Sequence, residues 1–159
     1  MKIAIVAVGK LKESYLRDGV AEYLKRLAPF ARMEMIEVAE ERLAGHFSEA
    51  EKEKALAREG ERLLARAPEG ATRIVLDVSG RALSSEELAG EMRARMVGGA
   101  SSFAFLVGGT FGLSPEVRAA ADFRLSLSRM TFTHAMARLL LVEQIYRAFK
   151  IMNGEKYHW

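Results

Sequence analysis

The residues best suited to bind a ligand lie between 103 and 116, where a strand, a glycine turn and a helix start follow one another. Residues 103–107 form an unbroken apolar run, which is typical of a strand buried on both faces. Gly108, Gly109 and Gly112 follow, and glycine allows positive φ and close approach of a ligand to the backbone. In open α/β sheets, ligands bind beyond the carboxyl ends of the strands. Residues suited to begin a helix come next, namely Ser114, Pro115 and Glu116.

The glycine spacing does not identify the ligand. It matches neither the GxGxxG pattern of dinucleotide-binding sites nor the GxxxxGK pattern of the P-loop. Two interpretations therefore stay open on the residues alone. One is a ligand-binding loop, and the other is a tight turn that needs glycine only for its geometry.

The composition predicts one domain over residues 1–159 with a substantial core. Half of the residues are hydrophobic, but no apolar run is long enough to span a membrane, so we expect no membrane partner. The lack of cysteine excludes disulfides, thiolate metal sites and cysteine nucleophiles. The short apolar start indicates a strand rather than a signal peptide, and we expect a cytoplasmic protein. A net charge of +3 permits an RNA or phosphate partner without requiring one.

Strands and helices alternate along the chain, which predicts an α/β fold with a mainly parallel sheet and helices on both faces. Hydrophobic patterning and two capping boxes, at Ser48 and Ser84, define the elements. Strands are predicted at 2–8, 33–38, 73–78, 103–107 and 123–127. Helices are predicted at 14–28, 49–67, 85–96, 115–121 and 135–152.

The last helix is apolar over a wider surface than one sheet face needs. Its polar residues form one narrow stripe, made of Glu143, Gln144, Arg147 and Lys150. The width indicates a second partner, most simply another copy of the chain across a two-fold axis.

Two charged residues stand out individually. Arg138 lies alone on the apolar side of the last helix and needs an anionic or carbonyl partner, either in an interface ion pair or in a ligand. Asp77, at the end of the third strand, weakly indicates a ligand contact or a loop cap.

Four segments together resemble a known enzyme family. They are Leu-Val-Gly-Gly-Thr-Phe-Gly-Leu-Ser-Pro at 106–115, Leu-Ser-Arg-Met-Thr-Phe-Thr-His at 127–134, Leu-Val-Glu-Gln-Ile-Tyr-Arg-Ala-Phe at 141–149, and Tyr-His at 157–158. In this order, and with the opening strand, they are similar to the bacterial methyltransferases that modify N3 of a pseudouridine in large-subunit ribosomal RNA. That family belongs to the SPOUT class. The resemblance implies a C-terminal trefoil knot, a homodimer, and S-adenosylmethionine as methyl donor, held in the knotted loops beside the subunit interface.

The resemblance also implies the residues of the site. It places the cofactor contacts at Leu76, Gly108, Leu127, Ser128, Arg129, Met130, Thr131 and Phe132, with Gly109 and Gly112 shaping the loop. The sulfonium methyl is already activated, so no metal is expected. N3 of pseudouridine carries a proton that must leave, so a general base would help. The catalytic candidates are His158 as base, Tyr157 to stack on or orient the target base, and Arg147 to hold phosphate or the developing anion.

The chain departs from the family pattern at its tail. The usual Pro-Tyr-His followed by a basic residue is here Lys156-Tyr157-His158-Trp159, and Thr133 replaces a frequent proline. RNA binding would fall to the dimer surface, with Lys10, Lys12 and Lys150 near the cleft, and the substrate would be ribosomal RNA in a preassembled ribosomal surface. Two alternatives stay open: a flavodoxin-like nucleotide-binding module, and a non-catalytic RNA-binding dimer.

Overall fold

The computed structural model describes residues 1–157 and contains ten elements within them. The strands are β1 (Lys2–Val8), β2 (Arg32–Val38), β3 (Thr72–Ala82), β4 (Ser102–Val107) and β5 (Phe123–Ser126). The helices are α1 (Ser14–Leu27), α2 (Glu49–Arg66), α3 (Ser85–Val97), α4 (Pro115–Ala119) and α5 (His134–Met152). The sheet order is β2-β1-β4-β3-β5, and every neighbouring pair is parallel.

The two faces of this sheet carry separate hydrophobic clusters, because side chains alternate along each strand. Ile5 and Phe105 point to the face covered by α1, α3 and α5, where they pack with Met92 and Ile145. The other face is covered by α2 and α4 and contains even-numbered residues of β1 and β4 such as Val6. The predicted α/β fold is confirmed, whereas the knot stays a prediction.

The helix starts follow from their local sequences. The side chains of Ser48 and Ser84 accept hydrogen bonds from Glu51 N and Glu87 N, both at 3.1 Å, and both capping boxes are complete. Thr133, where the family pattern has proline, accepts from Met136 N at 3.2 Å and caps α5. No helix within residues 1–157 is both long and apolar enough to cross a membrane.

The wide apolar surface of α5 is largely covered within one chain. Besides the sheet, α5 contacts both α1 and α3. Buried α5 residues on this surface include Leu141, Val142, Ile145, Ala148 and Phe149. A second copy of the chain is therefore not needed to explain these residues, and the homodimer stays a prediction.

The third strand is longer than the sequence indicates, and its predicted end near residue 78 is wrong. Leu125 of β5 aligns with both Leu76 and Arg81, so the intervening residues leave the ladder and β3 then resumes. Gly80 makes this possible, since a Cβ atom there would lie 2.7 Å from the carbonyl carbon of Arg124. Asp77, at the start of the irregularity, accepts a hydrogen bond from Ser79 N at 3.0 Å.

Arg138 is fully buried, and its partners belong to the same chain, so neither the interface ion pair nor the ligand contact describes it. Its Nη1 donates to Glu37 Oε2 at 2.7 Å, and its Nη2 donates to the carbonyls of Val8 and Gly9 at 2.9 and 2.6 Å. The same Glu37 oxygen accepts from Leu11 N at 3.1 Å. Arg138 thus joins α5 to the carboxyl ends of β1 and β2.

Removing this guanidinium should destabilise the fold strongly. Arg138→Met leaves the carbonyls of Val8 and Gly9 without their donor, and each buried polar group left without a partner costs about 1 to 3 kcal/mol. Urea denaturation should show a drop of this size in the free energy of unfolding. The matched control is Arg58→Met, because Arg58 is 66% exposed and lies 3.6 Å from Glu41. Exposed pairs contribute about 0 to 1 kcal/mol, and equal losses in the two variants would contradict the prediction.

Two glycines inside helices should respond oppositely to alanine. At Gly90 of α3, a Cβ atom would meet no described atom within 4 Å, so Gly90→Ala should stabilise the protein by about 1 kcal/mol through helix propensity. At Gly60 of α2, the Cβ would lie 2.5 Å from Ser114 Oγ and 2.9 Å from Val117 Cγ2. Gly60→Ala should therefore destabilise by about 1 to 3 kcal/mol. Thermal unfolding of both variants checks the signs, and a stabilising Gly60→Ala would disprove the packing described.

Candidate active site

The glycine turn after β4 closes tightly on itself. Gly112 N donates to Gly109 O at 3.1 Å, and Gly112 has φ +87°, which favours glycine. A Cβ atom on Gly108 would lie 2.5 Å from the carbonyl oxygen of Gly112. Glycine is therefore required at residues 108 and 112 for different reasons, namely close backbone approach and positive φ.

A cavity of about 250 Å³ opens in front of this turn, beyond the carboxyl ends of β3, β4 and β5. This volume is slightly below the usual range of small-molecule sites, which is about 300 to 1,000 Å³. Nine of the ten residues predicted to contact or shape a cofactor site line it: Leu76, Gly108, Gly109, Gly112, Leu127, Ser128, Met130, Thr131 and Phe132. The tenth, Arg129, has an exposed side chain and is not among the described residues that line the cavity.

The segment after β5 is held in shape by its own serines. Ser126 Oγ donates to Ser128 O at 2.9 Å, and Ser128 Oγ accepts from Met130 N at 3.0 Å. Met130 remains 74% exposed, and Phe132 is also exposed. The wall of the cavity is thus an ordered turn with two exposed apolar side chains.

Three ionisable residues on the cavity wall were outside the predicted cofactor set: Asp77, Arg118 and His134. Asp77 is buried, and its Oδ2 accepts from Arg118 Nε at 2.8 Å and from Arg124 Nη1 at 3.3 Å. Burial alone would raise the pKa of the Asp77 carboxyl, but hydrogen bonds from Ser79 and the charge of Arg118 outweigh it, and the pKa is lowered. The sequence signalled Asp77 only weakly, by its place at a strand end, and carried no pattern pointing to Arg118.

The two catalytic candidates that the structure describes, Arg147 and Tyr157, are not among the residues that line this cavity. Arg147 donates to Glu143 Oε1 from Nη2 at 2.6 Å, and its guanidinium carbon lies 4.3 Å from the centroid of the Tyr157 ring. Burial, with Tyr23 and Glu143 nearby, raises the pKa of the Tyr157 phenol. Arg147 follows His134 by thirteen residues on α5, which is roughly 20 Å along the helix axis. His158, the predicted base, lies outside the described residues.

A buried carboxyl group lies behind the glycine turn. Glu59 of α2 has a 5% exposed surface, and its Oε1 would lie 3.8 Å from a Cβ atom on Gly109. Its Oε2 accepts from Glu41 N at 2.9 Å. Burial raises the pKa of the Glu59 carboxyl above its ordinary value, and the hydrogen bond from Glu41 offsets this only in part.

The fold and the cavity together define an α/β protein with a small cavity, lined by backbone-rich loops, at the carboxyl edge of a parallel sheet. A family model described as "Predicted SPOUT methyltransferase" matches residues 1–158. The chain therefore belongs to the SPOUT methyltransferase family.

Individual relatives agree with this assignment. A protein of Carboxydothermus hydrogenoformans called "Ribosomal RNA large subunit methyltransferase H" is 52% identical over 158 residues, or 99% of each chain. A protein of the same name from Acetivibrio thermocellus is 48% identical over 158 residues, again 99% of each chain. A solved structure, of a probable methylase family protein from Haemophilus influenzae Rd KW20, aligns with a TM-score of 0.55 and 16% identity. It covers 99% of this chain and 70% of that chain, and it supports the fold alone.

The buried Glu59 carboxyl predicts a pH-dependent stability. The pKa of Glu59 is raised in the folded state. Its stabilising contribution to the free energy of unfolding is therefore fully present below the pKa of the unfolded chain, and it is lost as the pH rises through the pKa of the folded protein. At neutral pH, Glu59→Gln should therefore raise the melting temperature by about 2 to 4 °C, which corresponds to about 1 kcal/mol in a chain of this size.

Melting curves measured from pH 7.5 down to pH 4 provide the check. The difference between Glu59→Gln and wild type should shrink as the pH falls, because the native carboxyl then becomes neutral as well. Glu61→Gln, at an exposed neighbouring position, should match wild type throughout. If the difference in melting temperature between Glu59→Gln and wild type grew as the pH fell, the raised pKa of Glu59 would be refuted.

Proposed function

We propose that this chain, acting as one domain over residues 1–159, transfers a methyl group from S-adenosylmethionine to N3 of a pseudouridine in large-subunit ribosomal RNA. The observation that carries the proposal is that nine predicted cofactor residues line one and the same cavity. Support for the RNA substrate comes from the two relatives at 52% and 48% identity, which are called ribosomal RNA large subunit methyltransferases.

The cavity fits a ligand that is held mainly by backbone. The turn at Gly108 and Gly112 has no room for a side chain at residue 108, so its peptide groups border the cavity directly. Leu76, Leu127 and Phe132 supply apolar wall, which suits a flat adenine ring. When bound, S-adenosylmethionine supplies an electrophilic methyl group on a sulfonium centre. The chain's main task is then to position the acceptor nitrogen.

Activation of the acceptor is assigned to the tail and to α5. N3 carries a proton, and His158 would accept it while Tyr157 stacks on or orients the base. Arg147 is paired with Glu143 and lies over the Tyr157 ring, so it would orient Tyr157, and it stays the candidate to hold RNA phosphate or the developing anion. General bases of this kind contribute about 10²- to 10⁴-fold in rate.

The separation along α5 supports a homodimer as the working unit. In one chain, Arg147 lies roughly 20 Å along the α5 axis from His134 on the cavity wall, and the Tyr157 ring packs against Arg147. A two-fold arrangement in which two α5 helices run antiparallel would bring the tail of one copy to the cavity of the other. The catalytic residues would then act on the partner's cofactor.

The carboxyl edge of the sheet offers a route for the RNA. Lys10 and Lys12 follow β1 directly and are exposed. Gly9, which precedes them, lies beside the cavity wall, since a Cβ atom there would be 4.0 Å from His134 Nε2. Lys150 is paired with Glu155, so we assign RNA contacts to Lys10 and Lys12 in preference to Lys150. Because the net charge is only +3, the preferred substrate would be the assembled ribosomal surface rather than free RNA.

Methyl transfer to ribosomes tests the proposal directly. Ribosomes lacking the modification are incubated with the protein and S-adenosylmethionine carrying a labelled methyl group, and the modified base is identified by mass. We expect label on an N3-methylated pseudouridine of the large subunit, and His158→Ala should lower the rate by about 10²- to 10⁴-fold. Protein-free RNA serves as the comparison substrate and should be labelled far more slowly.

Each alternative function predicts a different result. Ribosome binding without the cofactor and without transferred methyl would favour a non-catalytic RNA-binding dimer. Binding of flavin or another nucleotide, but not of S-adenosylmethionine, would favour the flavodoxin-like module. Either result would contradict the proposed reaction.

A further inference from the structure

We propose that Arg118, held in place by Asp77, binds the carboxylate of the amino-acid half of the methyl donor. This inference rests on the proposed function, because it assigns a subsite within the same cavity. It concerns a residue outside the predicted cofactor set, on a helix of its own, α4.

The position of Arg118 is fixed from one side. Its Nε donates to Asp77 Oδ2 at 2.8 Å, and the Asp77 side chain is only 3% exposed. Asp77 is itself oriented by Ser79, whose N and Oγ donate to Oδ1 at 3.0 and 2.8 Å. The carboxylate therefore cannot turn away without losing several hydrogen bonds, and it orients the guanidinium plane.

The charges at this point do not cancel. Arg118 and Arg124 both contact the one carboxylate of Asp77, at 2.8 and 3.3 Å, which leaves one positive charge in excess. The two arginine side chains are 41% and 44% exposed, so their outer edges are open to a ligand. Arg118 lines the cavity, while Arg124 does not appear among its described lining residues.

The open edge of Arg118 lies next to the glycine turn. Its Nη2 would be 3.9 Å from a Cβ atom on Gly112, the glycine with φ +87°. Since Nε is engaged by Asp77, the terminal nitrogens remain to donate toward the cavity. A guanidinium offers paired N–H groups that match a carboxylate. In S-adenosylmethionine the carboxylate is the one anionic group, so it is the group that this excess positive charge would select.

The test compares two ligands that differ only in this group. Isothermal titration measures the Kd of S-adenosylhomocysteine and of its decarboxylated analogue for wild type, Arg118→Met and Arg124→Met. We expect Arg118→Met to weaken S-adenosylhomocysteine by about 10- to 100-fold, as for hydrogen bonds to a charged group, and the analogue by less than about twofold. Arg124→Met removes the other cation on Asp77 and should preserve the wild-type ratio of the two affinities.

The outcomes separate this inference from the proposed function. An equal loss for both ligands in Arg118→Met would mean that Arg118 only shapes the glycine turn, and would overturn the inference alone. Unchanged binding of S-adenosylhomocysteine in Arg118→Met would overturn it as well. Failure of wild type to bind S-adenosylhomocysteine at all would overturn the proposed function, and this subsite with it.

Discussion

The close approach of two glycine backbones after β4 is the constraint on which the site depends. Residue 108 can have no side chain because the carbonyl of Gly112 occupies that space. The turn is followed by the buried Ser114, which packs against Gly60 of α2. The two residues are so close that a Cβ atom on Gly60 is also excluded. The loop is therefore supported by the helix layer on one side, and its peptide groups face the cavity on the other. A larger residue at position 60 or 108 would therefore displace the glycine turn and the peptide groups that face the cavity.

Two buried charges hold the carboxyl edge of the sheet in place around this turn. Arg138 joins α5 to the ends of β1 and β2, and Asp77, at the start of the irregularity in β3, joins this strand to α4 and β5. Each bridges elements that are distant in sequence. Buried ion pairs add little net stability compared with apolar packing, but their directional hydrogen bonds define positions. Arg138 and Asp77 therefore fix the positions of α5, the glycine turn and the segment after β5 relative to one another.

The features that sequence predicted correctly are local. The capping boxes at Ser48 and Ser84, the alternation of strands and helices, and the strand–glycine–helix order all depend on residues within a few positions of one another. The features it missed depend on partners far away. Glu37 and Arg138 are 101 residues apart, and Asp77 and Arg118 are 41 apart. Periodicity carries no information about such pairs, so the internal role of Arg138, the extension of β3 and the place of Arg118 required the structure.

The proposed function places the methyl donor in the cavity between the glycine turn and the segment after β5. A crystal structure of the protein with S-adenosylhomocysteine tests it most directly. We expect the ligand to lie between Gly108 and Phe132, in contact with the peptide groups of the turn. A ligand bound elsewhere on the chain, with this cavity left empty, would show that the cavity is not the methyl-donor site.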